Sequence, residues 1–409
     1  MSEDLQPERA EPTAVGAPRS PRGQQRAPGK GGRGRLLGVL AVLVAGVLGA
    51  WLLGPKLFGG PKLPTDYTGE GKEDIIIEVS PGDSGSVIAQ DLVDKGVIGD
   101  VGMFVSAASG NAELAAIQPG FYKLRTEIPA ATAVQKLTDP ASRVGKLVIP
   151  EGKQLDDITA VGSGAVNPGI FSLIADASCV ELNGTEKCVT AAELKAASEE
   201  GTLQSLNVPD WAAQGAGAMG QSHRRLEGLI APGTWNINPA SSAKEILAKL
   251  VGESGEGYVK GGILDAAKAL NMSPYQVLIV GSLVQKEAQP ADFAKVARVI
   301  YNRLASDYDR LEFDSTVNYP LDRQEVATTD KDRATETPWN TYAMAGLPAT
   351  PICSPGAEAL AAAENPEAGD WLYFVTIDSD GTTLFTSDYQ EHLANRELAL
   401  GSGFLNSGR

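Results

Sequence analysis

An unbroken run of 19 uncharged residues, 36–54, constrains the organisation of this 409-residue chain more than any other feature. As a helix the run is about 28 Å long, which matches the hydrocarbon core of a bilayer. Six Lys and Arg residues precede it between Pro12 and Arg35, with no acidic residue among them. The positive-inside rule then places the amino terminus in the cytoplasm and the remainder outside the cell membrane. A cleaved signal peptide is the alternative, but the long leader and the lack of a clear small-x-small cleavage site favour a membrane anchor.

Composition divides the chain at the same place. Residues 1–35 are rich in Pro, Gly, Arg and Gln and nearly lack large apolar side chains, which predicts a disordered cytoplasmic tail. Residues 55–72 read as a Gly, Pro and Lys linker. The tail holds seven Lys and Arg against four Asp and Glu, so of the net charge of −16 the other residues carry −19. An exterior part this acidic argues against nucleic acid as a partner.

Cysteine and histidine are too sparse for a metal site. The chain has three cysteines, no Cys-x-x-Cys pattern and two histidines, His223 and His392, so neither a metal nor another cofactor is indicated. Outside the cell Cys179 and Cys188 could close a small loop as a disulfide. Cys353 is then left over, and we interpret it as a buried free thiol.

Strand and helix patterns begin after the linker. Residues 74–79 predict a short strand, followed by a turn in which Ser84 caps a helix. Residues 120–124 predict another strand. Residues 146–149, a Pro-Glu-Gly turn, and then Leu155 and Ile158 have the same order of strand, turn and helix, which indicates a weak internal repeat. This order is common enough to recur by chance.

A carboxylate on the apolar face of a predicted helix is the strongest sign of chemistry. Residues 273–276 have the form of a capping box with proline at the first helical position. Val280, Leu283, Val284 and Glu287 then fall on one stripe, whereas Gln285 and Lys286 turn away. Burial raises the pKa of an acid, so Glu287 could hold a proton near neutral pH and act as a general acid. In the alternative, the helix frays before Pro290 and leaves Glu287 exposed.

A second amphipathic helix and loops rich in aromatic and amide side chains follow. Phe293, Val296, Ala297, Ile300 and Leu304 have helical spacing. Residues 371–375 predict a buried strand, with a hairpin return at 381–385. The loops at 311–319 and 338–348 bring Asn, Tyr and Trp side chains around one acid. This composition suits a neutral, hydroxyl-rich ligand such as a glycan, although any single loop residue could serve only a structural turn.

Eight separate blocks carry a family resemblance. They lie at residues 226–235, 281–288, 299–304, 311–319, 339–342, 346–356, 372–375 and 391–392. Their order and spacing resemble the YceG-like family of membrane-anchored endolytic murein transglycosylases over roughly residues 74–400. In addition, residues 79–84 with Ile88 and Ala89 resemble the opening of a LysM module. The resemblance implies an α+β chain: the anchor, a LysM-like module at 73–148, and a mixed α/β catalytic domain at 149–406.

The resemblance also implies a reaction and its residues. It implies cleavage within the peptidoglycan glycan strand, between N-acetylmuramic acid and N-acetylglucosamine, leaving a 1,6-anhydro end. The essential glutamate of the family lies in the block that contains Glu287, and many relatives have a second glutamate where this chain has Gln285. Termination of nascent strands would make peptidoglycan synthases partners. The candidates for lining the substrate site are Asn302, Asp314, Thr316, Tyr319, Asn340 and Tyr342, with Asp314 as a second charge and Glu227 as a supporting acid or only a helix-cap residue.

Departures from the family leave two rivals. Leu229, Ala231 and Gly233 stand where relatives commonly have aromatic residues or an acid, and residues 383–385 lack the usual histidine. The segment around Cys179 and Cys188 resembles an insertion. A catalytically weakened, peptidoglycan-binding scaffold is therefore one alternative. A true hydrolase that uses Glu287 together with Asp314 is the other, since hydrolytic glycosidases generally need two carboxylates.

Overall fold

A computed structural model describes residues 65–109, 117–160, 163–308, 310–321 and 328–402. They belong to a compact unit that begins at Pro64. The predicted tail, the predicted anchor and most of the linker lie outside the described residues. Of the helices that are described, none combines the length and the apolar character needed to span a bilayer.

The described part mixes helices with small antiparallel sheets. The helices are α1 Gly85–Asp94, α2 Val101–Ala108, α3 Ala130–Thr138, α4 Ile170–Ser178, α5 Ala191–Glu200, α6 Asp210–Ala218, α7 Ala243–Gly261, α8 Ile263–Ala269, α9 Pro274–Glu287, α10 Phe293–Leu304, α11 Asp314–Asn318, α12 Asp330–Arg333, α13 Ala357–Glu364 and α14 Tyr389–Gly401. The strands are β1 Asp74–Val79, β2 Gly120–Arg125, β3 Arg143–Val144, β4 Lys146–Ile149, β5 Ile158–Thr159, β6 Val166–Asn167, β7 Val180–Leu182, β8 Thr185–Lys187, β9 Gly233–Asn236, β10 Tyr373–Thr376 and β11 Thr383–Thr386. This is the mixed α and β fold that the sequence predicts.

The first part of the unit has a hydrophobic core of its own. β1 pairs antiparallel with β2, from Asp74 opposite Arg125 to Val79 opposite Gly120, and β3 adds to the free edge of β2. Buried residues of β1, β2 and α1–α3 form this core within residues 77–137. The Ser84 hydroxyl accepts a hydrogen bond from the Val87 amide and caps α1, as predicted. Both predicted strands are therefore confirmed.

Helix α9 runs through the second and larger core, which draws on residues 147–363. The capping box at Ser273 and Gln276 is present, with Pro274 at the first helical position. Every residue from Val277 to Val284 is buried, and α9 packs against α8, α10 and α13. A Cβ atom at Gly281 would lie 3.3 Å from Leu360 Cδ1, so this glycine allows the close approach of α13. The predicted start of α9 and the predicted helix α10 are both confirmed.

The predicted repeat after β4 is wrong, because Leu155 and Ile158 do not form a helix. β4 pairs with the distant strand β9, and Ile158 belongs to β5. The carbonyls of residues 153–155 accept hydrogen bonds from the amides of Ser354, Ile170 and Phe171. Since these backbone groups bond to other segments, they are not free for the i to i−4 bonds of a helix.

The cysteines and the carboxyl-terminal hairpin agree with most of the predictions. Cys179 and Cys188 form a disulfide across the β7–β8 hairpin, and Cys353 is a buried free thiol. β10 and β11 form an antiparallel hairpin, with Tyr373 opposite Thr386. The strand is half-buried rather than buried as predicted, since each residue of β10 keeps part of its surface exposed.

Candidate active site

Glu287 is the last residue of helix α9, at the point where the helix leaves the core. Val284, one turn earlier, is fully buried, whereas Glu287 is half-buried. The side chain therefore lies between the two predicted extremes, since it is neither enclosed in the core nor free in solvent. Gln285 and Lys286, which were expected to turn outward, are half-buried as well. Their side chains bond to backbone: Gln285 Oε1 accepts from the Gly356 amide at 2.8 Å, and Lys286 Nζ donates to the Gly152 carbonyl at 2.7 Å.

The surroundings of Glu287 keep its carboxyl group protonated up to neutral pH. Burial raises the pKa of Glu287 from 4.5 to about 7, because the charged form loses hydration. The hydroxyl and backbone amide of Ser315 and the positive charge of Arg303 act in the opposite direction, whereas the Asp314 charge raises the pKa further. Asp314 and Ser315 begin helix α11, which packs against α9. At pH 7 such a group can both give and take a proton.

Asp314 is held by three neighbours. Its Oδ1 atom accepts hydrogen bonds from Thr328 Oγ1 at 2.7 Å and from Tyr342 Oη at 2.9 Å. Arg333 donates to both of its oxygens, at 3.2 Å from Nε and 3.0 Å from Nη2. The Arg333 guanidinium also lies over the Tyr342 ring, 4.9 Å from its centre. Asp314 and Tyr342 thus share one network beside Glu287, in which Arg333 pairs with the Asp314 carboxylate.

Tyr319 and Glu227 form a buried pair behind helix α11. Tyr319 Oη donates to Glu227 Oε2 at 2.8 Å, and the Leu155 amide donates to the same oxygen at 3.2 Å. Glu227 is 1% exposed, and burial raises its pKa to about 7. Arg224 packs over the ring of Tyr319, 4.8 Å from its centre. Glu227 therefore supports the fold behind the site, without an exposed atom for substrate.

Three further predicted residues bond to backbone instead of facing solvent. Thr316 is fully buried, donates to the Phe313 carbonyl at 2.6 Å and lies 2.9 Å from Thr341 Oγ1. Asn340 is 1% exposed, and its amide donates to three carbonyls of residues 332–335. Asn302 donates to the carbonyls of Gly369 and Trp371, at 3.2 and 2.9 Å. They shape the loops around Glu287, and the side-chain donors of all three are already paired within the protein.

Arg303, Ser315 and Arg333 act on the site although the sequence analysis did not select them. Arg303 is 6% exposed, donates to the carbonyls of Leu372 and Leu311, and lies over the rings of Tyr308 and Tyr373. Arg303 and Ser315 both belong to the quoted blocks, next to Asn302 and Asp314, so the signal was present. Arg333 lies outside every block, and only the fold places it beside Asp314.

Few of the described residues are placed so that they could bind a metal ion together. Their one close group of potential ligands is Cys179, Glu186 and Cys188, and the two cysteines of that group are joined as a disulfide. Around Glu287 the acidic oxygens of Asp314 are already paired with Arg333.

One protein-family model and several known proteins are similar to this chain. The model of the YceG-like family matches residues 77–398. An endolytic murein transglycosylase of Bacillus subtilis (strain 168) is 29% identical over 360 residues, which are 86% of this chain and 92% of that protein. One of Streptococcus pneumoniae serotype 2 is 25% identical over 291 residues, 68% of this chain and 50% of that protein. A crystal structure of a YceG-like protein from Listeria monocytogenes is 29% identical, covers 79% of this chain and 99% of that one, and has a TM-score of 0.45.

Proposed function

The chain belongs to the YceG-like family, and on that premise we propose that it is an endolytic murein transglycosylase. Its substrate is the glycan strand of peptidoglycan, cut between N-acetylmuramic acid and N-acetylglucosamine with formation of a 1,6-anhydro end. One observation carries the proposal: Glu287, the last residue of a buried helix, has a pKa of about 7. The similar proteins of B. subtilis and S. pneumoniae are named for this activity.

Glu287 performs both proton transfers of this reaction. Protonated, it donates to the glycosidic oxygen as the bond to the anomeric carbon breaks. The resulting carboxylate then takes the proton of the sugar's own 6-hydroxyl as that oxygen bonds to the anomeric carbon. No water enters, so the products are one 1,6-anhydro end and one free hydroxyl, and the residue returns to its starting state. A pKa near 7 serves both steps, because neither protonation state is strongly disfavoured.

The neighbours of Glu287 support this one-acid scheme over a hydrolase. A retaining or inverting hydrolase needs a second carboxylate free to attack or to activate water. Asp314 is the candidate, but Arg333, Tyr342 and Thr328 occupy its oxygens. Its charge instead helps to keep Glu287 protonated. The Ser315 amide at the start of α11 is available to stabilise the Glu287 carboxylate that forms as the bond breaks.

The test is digestion of purified peptidoglycan sacculi, followed by mass spectrometry of the new strand ends. We expect 1,6-anhydro ends with wild-type protein and none with Glu287→Gln, whose amide cannot donate the proton. Gln285→Asn is a matched control, since it changes a neighbouring amide that contacts Gly356. Water-added ends would favour the hydrolase, and equal products from Glu287→Gln would refute the role of Glu287. Full strand binding by wild type without any cleavage would favour the scaffold.

We also propose the chain's setting, namely a single-pass anchor at residues 36–54 with the catalytic domain outside the cell membrane and synthases as partners. The run of apolar residues and the basic leader support the anchor. A disulfide between Cys179 and Cys188 suits an oxidising exterior. Protease added to intact spheroplasts should remove the catalytic domain and spare the tail; protection of the domain would refute this topology. Cross-linking from the exterior part would reveal a synthase.

The β1-α1-α2-β2 unit is the part for which we propose a LysM-like role in holding glycan. The motif at residues 79–84 supports this, as does a groove of about 680 Å³ lined by residues of the β1–α1 turn and of α2. Ser86→Trp would fill the groove beside Ile88 and should weaken binding to sacculi. Unchanged binding by the folded variant would argue against the role.

A further inference from the structure

Two grooves flank Trp211, and neither is lined by Glu287 or Asp314. The first, about 950 Å³, lies between residues 203–213 and residues 252–260 of helix α7. The second, about 730 Å³, is lined by Trp211, Tyr275, Gln276 and residues 346–349, among others. We call the two together the Trp211 furrow. Each volume falls within the roughly 300–1,000 Å³ of small-ligand sites, so the furrow can accommodate ring-sized groups.

The side chains of the first groove suit a neutral ligand rich in hydroxyl groups. Trp211 is half-buried and offers part of its ring, while Gln204, Asn207 and Asp210 beside it are exposed. Lys260 is the one cation among the lining residues, and it lies 3.6 Å from the Glu256 carboxylate. Amides and carboxylates accept hydrogen bonds from hydroxyl groups, and an indole ring packs against the C–H face of a sugar. An anionic ligand would find no unpaired positive charge here.

Two enclosed polar atoms in the furrow wall make no hydrogen bond with the described residues. They are Trp211 Nε1 and Tyr275 Oη, and Tyr275 is only 4% exposed. Buried indole and phenol groups normally have a partner. Trp235 Nε1, for comparison, donates to the Ala231 carbonyl at 3.1 Å, and Trp339 Nε1 donates to Thr350 Oγ1 at 2.8 Å. Both atoms are enclosed, and the Tyr275 hydroxyl lies near the buried Glu227 carboxyl group, so a molecule in the furrow would contact the exposed part of the Trp211 ring and the polar side chains of the first groove instead.

Gly215 sets the wall of the furrow close to Tyr275. A Cβ atom on Gly215 would lie 2.1 Å from Tyr275 Cδ1, so only glycine lets α6 approach the ring this closely. The second groove is also bounded by residues 346–349, a few residues beyond Tyr342 in the same loop. The furrow thus reaches the loop that holds Asp314 beside Glu287.

We propose that the Trp211 furrow is an accessory subsite for uncharged sugar rings of the glycan strand, with one ring on the Trp211 indole. The inference rests on the proposed function, because it takes its ligand from the same substrate. A strand held both at Glu287 and in the furrow is bound along more of its length, and such binding favours cuts within long strands over cuts in short pieces.

The test measures strand binding separately from cleavage. In a Glu287→Gln background, Kd is measured for soluble glycan strands stripped of their peptide stems, with the exposed lactyl carboxyl groups capped as amides so that the sugar rings stay uncharged. Trp211→Ala should raise Kd about tenfold, the loss of a well-packed aromatic contact. Trp235→Ala, which removes a half-buried indole outside the furrow, is the matched control and should leave Kd unchanged. In the active protein, Trp211→Ala should raise KM for long strands and leave kcat unchanged.

Each outcome bears on one hypothesis. Equal Kd values for Trp211→Ala and Trp235→Ala would overturn the subsite while Glu287-dependent cleavage still stands. Weakening seen only with stem-bearing strands would assign the furrow to peptide, and would overturn the sugar assignment. If Trp211→Ala does not fold, Trp211→Phe and the exposed pair Gln204→Ala with Glu256→Ala replace it, and unchanged Kd in both overturns the proposal. Cleavage by Glu287→Gln would instead refute the proposed function.

Discussion

Raising the pH should switch off cleavage with a midpoint near 7, because the proposed reaction needs the Glu287 proton. The rise of the Glu287 pKa from 4.5 to about 7 favours the protonated form by about 3 kcal/mol, at about 1.4 kcal/mol for each tenfold change. At pH 7 roughly half of the molecules are then protonated, against about 0.3% for an ordinary glutamate. The location of the residue therefore increases the reactive fraction on the order of a hundredfold.

The assay is kcat/KM on soluble glycan strands between pH 5 and pH 9. We expect a plateau below pH 6 and a tenfold fall per pH unit well above 7, so that about 1% of the rate is left at pH 9. One acid that also serves as the base gives a single descending limb. A second carboxylate that had to be ionised would add a fall on the acid side. A flat profile from pH 6 to pH 9, or a midpoint near 4.5, would refute the reasoning.

Glu227 could produce the same pH dependence of cleavage, because its pKa is also about 7. Glu227→Gln keeps an oxygen that can accept from Tyr319 and Leu155, and it removes the titration. If Glu287 produces the limb, its midpoint stays near 7 in this variant. Disappearance of the limb would transfer the pH dependence to Glu227.

Three other predictions concern stability and charge. The folded-state pKa of Glu227 lies above 4.5, so its contribution to stability is present below pH 4.5 and is lost as the pH rises through 7. The free energy of unfolding, measured with denaturant, should therefore be lower at pH 8 than at pH 5, and Glu227→Gln should reduce that difference by up to about 3 kcal/mol. A difference that the substitution leaves unaltered would contradict this. Asp314→Asn removes a charge that raises the Glu287 pKa and leaves Arg333 unpaired, so the descending limb of the pH profile of kcat/KM should move to lower pH. Complete inactivity at every pH would instead support the hydrolase. Cys179→Ser with Cys188→Ser opens the disulfide between two cysteines that lie nine positions apart, and it should cost about 3 kcal/mol of unfolding free energy. The measurement is unfolding with and without reductant, and no loss would mean that the hairpin is equally ordered without the link.

Local patterns predicted local structure well. The capping box at Ser273 and the spacing of apolar residues in α9 and α10 depend on contacts within one helix, so the sequence contains them. The helix predicted at Leu155 is absent because the contacts of this segment are not local. Its backbone groups bond to Ser354, Ile170 and Phe171, partners between about 15 and 200 positions away that no local pattern reveals.

The site was predicted less evenly, because a motif names residue types and not the directions of their side chains. Asp314 and Tyr342 lie in the network beside Glu287. Thr316 and Asn340, from the same blocks, are turned toward threonine and carbonyl partners. Arg333 entered only through the fold. A polar side chain in a loop can form hydrogen bonds with the backbone or with a ligand. Both roles use the same residue types, so the sequence does not distinguish them.

Gln285 is a position at which this chain differs from many members of the family it resembles. The resemblance places a glutamate there in many relatives, and here the amide oxygen accepts the Gly356 amide at 2.8 Å. A carboxylate oxygen would accept the same bond, so the contact between α9 and the start of α13 does not require the charge. A second negative charge two residues from Glu287 would raise the pKa of Glu287 further. The amide keeps the packing and leaves Asp314 and Arg303 as the charges that bias the proton on Glu287.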